Sequence, residues 1–276
     1  MINYLDFWKL ARPPFDAGPD PDFFFESRAH GEALARLLYF ASDRAMGLAA
    51  ITGEIGAGKT MTLQVLVNRL PPDLYRVITV FTAPESPAGV LVEINRQLGG
   101  SESRETESDV DALRREFHRL LDRHIVASGR HLLMILDEAQ LMNEACLDTV
   151  KCLTNPVGSR GAQVSVVLSG QPELKSRLRA LPQVHQRMGL IYHLGYLERE
   201  EVPVYVRHRL AVANAMALDV FDAEGLALLY GFSKGCPRQI NRVCKLAVDR
   251  ACLLHKTAID FAMLEMIVND FEKQFS

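Results

Sequence analysis

The 276 residues carry 31 Lys and Arg against 34 Asp and Glu, a formal net charge of −3, so the chain as a whole exerts no electrostatic pull on nucleic acid or an anionic membrane. With 48% hydrophobic residues it is large enough to bury an α/β core and a second, smaller unit. Five cysteines without a C-x-x-C pair argue against a zinc site or a disulfide framework, and no apolar run reaches the ~18 residues of a membrane span.

The chain opens without the basic-then-apolar order of a signal peptide, which predicts a cytoplasmic protein. Its first 34 residues are rich in proline and aromatic side chains, Pro14-Phe15 and Phe23-Phe24-Phe25 among them, and are too apolar for a free tail. A helical pattern follows over residues 28–43, then an apolar strand over 48–52. Next come Gly53-Glu54-Ile55-Gly56-Ala57-Gly58-Lys59-Thr60 and, from Met61, an amphipathic helix over 59–70. Strand, glycine-rich loop and helix stand in the order that a phosphate-binding loop requires. Backbone N–H groups must turn toward a triphosphate, and residues without a Cβ at 53, 56 and 58 let the chain come that close. Lys59 would meet the β and γ phosphates, and the Thr60 hydroxyl would be a Mg²⁺ ligand. The helix dipole points its positive end at the same place.

A strand over 75–81 and a helix over 86–98 lead into the polar stretch Gly99 to Asp109, the most loop-like part of the chain. After a helix over 109–127, residues 132–136 read Leu-Leu-Met-Ile-Leu and end in Asp137-Glu138. A run so short and apolar suits a strand buried on both faces of a parallel sheet. At its carboxyl end Asp137 would hold Mg²⁺ and Glu138 would deprotonate the attacking water. A helix over 143–154, turn residues from Pro156 to Gly161, a strand over 164–169, a helix over 172–180 and a strand over 190–194 complete the alternation. It predicts an α/β domain of the P-loop class over residues 1–197, built on a five-stranded parallel sheet. Beyond Leu197 the pattern becomes four helices starting near Glu198, Asp222, Pro237 and Asp260, an all-helical lid over 198–276.

This order of sheet and lid resembles that of the AAA+ ATPases, with residues 53–60 and 132–138 standing as Walker A and Walker B. The resemblance implies an ATP-hydrolysing homo-oligomer, a ring or filament. It implies a polar sensor after the fourth strand, which is Ser169 or alternatively Gln171. It implies a lid arginine reaching the nucleotide, Arg238 in Gly235-Cys236-Pro237-Arg238. An anion there would match the helix N-terminus, where an arginine is otherwise unfavourable. It also implies a finger arginine acting on the neighbouring subunit, with Arg187 preferred over Arg177 and Arg179.

The leader residues Phe7, Pro14-Phe15, Pro19-Asp20-Pro21, Phe23 to Phe25, Ser27, His30 and Glu32-Ala33-Leu34 narrow the likeness. So do Asp137-Glu138-Ala139-Gln140, Gly170-Gln171-Pro172-Glu173-Leu174 and Pro237-Arg238-Gln239-Ile240-Asn241. Together they resemble the cytosolic part of the ExeA/GspA family of general (type II) secretion. That implies envelope or secretion partner proteins, and a leader in which Pro14 and Phe15 either flank the adenine or pack on the core. Two other readings compete. One is a DNA-binding regulator of transposition of the TniB/TnsC/IstB type, whose basic strip would be Arg115, Arg119 and Arg123; interleaved acids read more simply as an ion-paired, solvated helix face. The other is a nucleotide-switched binding module with little turnover.

Overall fold

A computed structural model describes residues 4–81, 84–99, 109–155, 164–215 and 219–275. The turn predicted from Pro156 to Gly161, and most of the polar stretch after Gly99, lie outside the described residues. In chain order the described elements begin with α1 (Tyr4–Trp8), α2 (Arg28–Ser42), β1 (Leu48–Thr52), α3 (Lys59–Arg69), β2 (Tyr75–Val80), α4 (Pro87–Leu98) and α5 (Val110–Leu121). They continue with β3 (His131–Leu136), α6 (Glu144–Leu153), β4 (Val164–Gly170), α7 (Glu173–Arg179), α8 (Pro182–His185) and β5 (Met188–His193). Helices α9 (Glu201–Val212), α10 (Ala223–Ser233), α11 (Pro237–Leu253) and α12 (Phe261–Phe275) close the chain.

Helix starts follow local chemistry. Ser86, Asp109, Asn143 and Asp222 each accept, through the side chain, a backbone N–H of the first turn, which satisfies donors that have no intrahelical partner. Proline opens α4 and α11, where its missing N–H costs nothing. Gly99 ends α4 at φ 102°, the left-handed conformation that glycine adopts without strain.

The chain clusters into two compact units. One comprises Glu32–Ile55 and Thr62–Leu194 and contains the sheet, with strand order β2-β3-β4-β1-β5. Every strand pair is parallel, as the alternation of strands and helices predicts. Register sets Thr52 beside Gly170 and His193, and Leu136 beside Val80 and Leu168, so all five carboxyl ends share one edge. The three inner strands are wholly buried. Burying each of their Leu, Ile or Val side chains contributes about 1.5–3 kcal/mol. Phe117, Leu113, Leu91 and Ile94 from α4 and α5 pack into the same core. The edge strands β2 and β5 are only partly covered. Strand β5 starts at Met188, two residues before the strand predicted over 190–194.

The other unit comprises Met1–Gly31, Gly56–Met61 and Gly195–Ser276. Its core joins α9 to α12 through Val206, Leu229, Ile240, Ala247 and Leu264. The four helices start within three residues of the predicted positions. The leader belongs to this core: Phe15 is 3% exposed and meets Phe221 edge-on at 6.2 Å, and the Trp8 indole donates to the Val248 carbonyl at 3.1 Å. Arg209, 4% exposed, fastens it further, its guanidinium donating to the carbonyls of Pro14 and Asp16 and lying over the Phe23 ring. Among the described residues no helix is long and apolar enough to cross a membrane.

Candidate functional site

The helical unit carries the turn of the Walker A sequence. Gly56 and Gly58 have φ of 82° and 99°, conformations that side-chain-bearing residues rarely adopt. Space demands glycine there as well. A Cβ at Gly56 would lie 2.8 Å from Arg238 Cβ and 2.9 Å from Cys236 Sγ, and a Cβ at Gly58 would lie 2.8 Å from His30 Nε2. The first turn of α11 and the first turn of α2 therefore both press on the loop. Ala57 between the glycines is completely buried, and its carbonyl accepts from His30 Nε2 at 2.9 Å. Lys59 and Thr60 are the first two residues of α3, so their side chains leave the helix end where backbone N–H groups converge. Arg238 is the second residue of α11 and is exposed.

The sheet unit carries the acids. Gly53 leaves β1 with its N–H on the Gly170 carbonyl at 3.2 Å, and a Cβ there would fall 2.5 Å from the Leu194 carbonyl oxygen. Glu54 and Ile55 that follow are exposed. Asp137, 9% exposed, continues β3, its N–H donating to Val80 and its Oδ1 accepting from the Glu138 N–H at 3.0 Å. Glu138 has φ 52°, an uncommon backbone state for a residue with a side chain and one that concentrates at functional positions. Its carboxylate is exposed and accepts from the Gln140 amide at 2.6 Å. Ser169 is completely buried, and its hydroxyl has no hydrogen-bond partner among the described residues. An orphaned hydroxyl at the carboxyl end of β4 fits a site whose ligand completes it.

The sheet thus brings Gly53, Asp137, Glu138, Ser169 and Gln171 to one edge, and the helical unit gathers Gly56 to Met61 with Arg238. The three arginines named from the sequence as finger candidates differ in engagement. Arg177 donates to the Gln140 carbonyl within the same subunit, whereas Arg179 and Arg187 are exposed, the latter directly before β5. Pro14 and Phe15 are buried in the helical unit by the contacts already described. On α5, Arg114, Arg115 and Arg119 pair with Asp111, Asp109 and Glu116, the pattern of an ion-paired helix face.

Two residues gained no role from sequence reasoning. His30 stood in the leader as Ser27-x-x-His30, and Gln140 stood two residues after Glu138. Neither spacing encodes a mechanism, because His30 acts on the Ala57 carbonyl and Gln140 accepts from the Gln171 N–H, groups that folding brings to them. Burial holds the His30 imidazole below its ordinary range, so the ring is neutral.

A family model described as an AAA domain matches residues 43–178. The General secretion pathway protein A of Aeromonas hydrophila is 33% identical over 253 residues, or 90% of this chain, and the chain spans 45% of that relative's length. Among solved structures, the ORC2 protein of Aeropyrum pernix, determined as ADPNP-ADP complexes, superposes with a TM-score of 0.71 at 21% identity, covering 94% of this chain and 71% of that one. Cdc6p from Pyrobaculum aerophilum gives 0.65 at 20% identity, over 83% and 63%. At such identities the structural likeness is one of fold alone.

Proposed function

We propose that this chain, which belongs to the ExeA/GspA-like AAA+ proteins, binds and hydrolyses ATP as a homo-oligomer and thereby drives assembly of a cell-envelope secretion complex. The observation that carries this reading is the turn at Gly56 and Gly58, held in left-handed conformations ahead of Lys59 and Thr60. A chain held in that shape by packing is preorganised to offer its N–H groups to an anion. In this role Gly53 to Met61 wrap the phosphates and Lys59 neutralises the β and γ oxygens. Thr60 and Asp137 are the oxygen ligands suited to Mg²⁺, which would offset charge on the phosphate oxygens. Glu138 takes the proton of the attacking water, Ser169 meets the γ phosphate, Arg238 answers from the lid over residues 198–276, and Arg187 serves the adjacent subunit.

The secretion role extends to this chain what the name of its Aeromonas relative says, and puts it at the cytoplasmic face of the envelope with partner proteins. Nucleotide binding and turnover are separated by two variants. Lys59→Ala is expected to abolish ATP binding, and Glu138→Gln to retain ATP while losing turnover. Activity per subunit should rise with protein concentration, and Arg187→Ala should recover when mixed with Glu138→Gln subunits. Flat specific activity over an about hundredfold dilution would sink the oligomeric mechanism. Salt-sensitive, ATP-dependent retention of duplex DNA on a filter would replace the envelope role with one on nucleic acid.

A further inference from the structure

We propose that His30 is a positioning residue for the phosphate-binding turn: by donating Nε2–H to the Ala57 carbonyl it fixes the peptide whose other end is the Gly58 N–H. The inference rests on the reading of residues 53–61 as an ATP site and assigns a task to a leader residue that this reading leaves unused.

The hydrogen-bond pattern determines the tautomer. A carbonyl oxygen can only accept, so the 2.9 Å contact between His30 Nε2 and Ala57 requires the proton on Nε2. Nδ1 of the neutral ring is then a lone pair, and it faces the Ser27 hydroxyl at 2.7 Å, which donates to it. The same hydroxyl oxygen accepts from the His30 N–H at 3.3 Å. Ser27 and His30 are 3% and 5% exposed, and the Phe24 ring meets the imidazole edge-on at 6.1 Å. The ring is therefore oriented from both nitrogens and one face.

What it acts on explains why this matters. The Ala57 carbonyl belongs to a fully buried residue and needs a partner there. In a planar trans peptide the carbonyl of residue 57 and the N–H of residue 58 point in opposite directions. Holding the carbonyl toward His30 thus turns the Gly58 N–H away from it, to the side left for the phosphates. The contact is close enough that a Cβ on Gly58 would reach 2.8 Å from Nε2, so the histidine and the glycine fit one another. Without the donor, the peptide can rotate, and the turn loses part of its preorganisation for the triphosphate.

The test compares His30→Leu, which keeps bulk and removes both nitrogens, with His30→Gln, whose amide nitrogen occupies the place of Nε2. Binding of a fluorescent ATP analogue is measured by titration, with melting temperature recorded for each variant. His30→Leu is expected to weaken binding about tenfold, and His30→Gln to recover most of that loss. Nitrogen-15 spectra of the wild-type imidazole should report the Nε2–H tautomer. Wild-type affinity in His30→Leu, equal losses in both variants at native melting temperature, or an Nδ1–H tautomer would each overturn the assignment. Wild-type protein that binds ATP no better than Lys59→Ala would instead bring down the nucleotide site itself, and this inference with it.

Discussion

The Gln140 amide donates to Oε2 of Glu138 at 2.6 Å while its carbonyl oxygen accepts the Gln171 N–H at 3.1 Å. One side chain therefore ties the end of β3 to the end of β4, and a Cβ on Gly170 would collide with it at 2.6 Å. The remaining oxygen of Glu138 is left for a water. If Glu138 is the base, Gln140→Leu is expected to lower turnover about ten- to a hundredfold with little change in KM, the signature of an interaction needed only in the transition state. Steady-state ATPase assays decide this. A rise in KM with unchanged kcat would mean that Gln140 serves binding instead.

Two glycines of similar backbone conformation separate strain from collision. Gly56 has φ 82° and a Cβ on it would meet Arg238 and Cys236, whereas Gly129 has φ 68° and open space where a Cβ would stand. Gly129→Ala is expected to cost about 1–2 kcal/mol of stability, the left-handed penalty alone. Gly56→Ala should in addition weaken ATP binding more than tenfold, because the turn and the first residues of α11 cannot both keep their places. Equal affinities for the two variants in the same titration would show that the packing on Gly56 is irrelevant to the site.

The leader is fastened by a buried aromatic ring and a buried cation. Phe15→Ala removes a side chain that is 3% exposed, and is expected to destabilise the protein by about 3 kcal/mol in a denaturant titration. Arg209→Leu leaves the Pro14 and Asp16 carbonyls without their donor and should cost about 1–3 kcal/mol. Because both act on the same segment, the double variant should lose less than the two single losses combined. Full additivity would mean that the ring and the cation hold the leader independently.

Much of this architecture was legible because its causes are local. The inner strands are apolar runs because both faces are covered, and α10 and α11 start where Asp222 caps and Pro237 needs no N–H. Walker A and Walker B spacing carries chemistry in the residue types themselves. The helices α1 and α8, five and four residues long, are too short to show a period, and the first two residues of β5, Met188 and Gly189, lie outside the strand predicted over 190–194. The partner of Phe15 lies some two hundred residues away, and that of His30 across a helix and a strand. Such pairings are set by the tertiary fold, so no window of sequence contains them.

His131 opens β3 with its ring completely buried. Nε2 lies 2.9 Å from the Ser165 hydroxyl, and Nδ1 has no hydrogen-bond partner among the described residues. Burial, with the positive charge of Arg44 adding to it, pushes its pKa from 6.5 down to about 4. The folded state therefore holds this ring neutral over a range in which the unfolded chain protonates it, so unfolding takes up a proton. The ring's contribution is fully present above pH 6.5 and is lost as pH falls toward about 4. At about 1.4 kcal/mol per pH step it amounts to about 3 kcal/mol. His30 and His208 are lowered as well and add in the same direction. Chemical denaturation across that window should give a steep acid loss of stability in the wild type and a loss smaller by about 2–3 kcal/mol in His131→Gln, whose amide reaches Ser165 without titrating. Parallel pH curves for the two proteins would place the acid sensitivity on other groups.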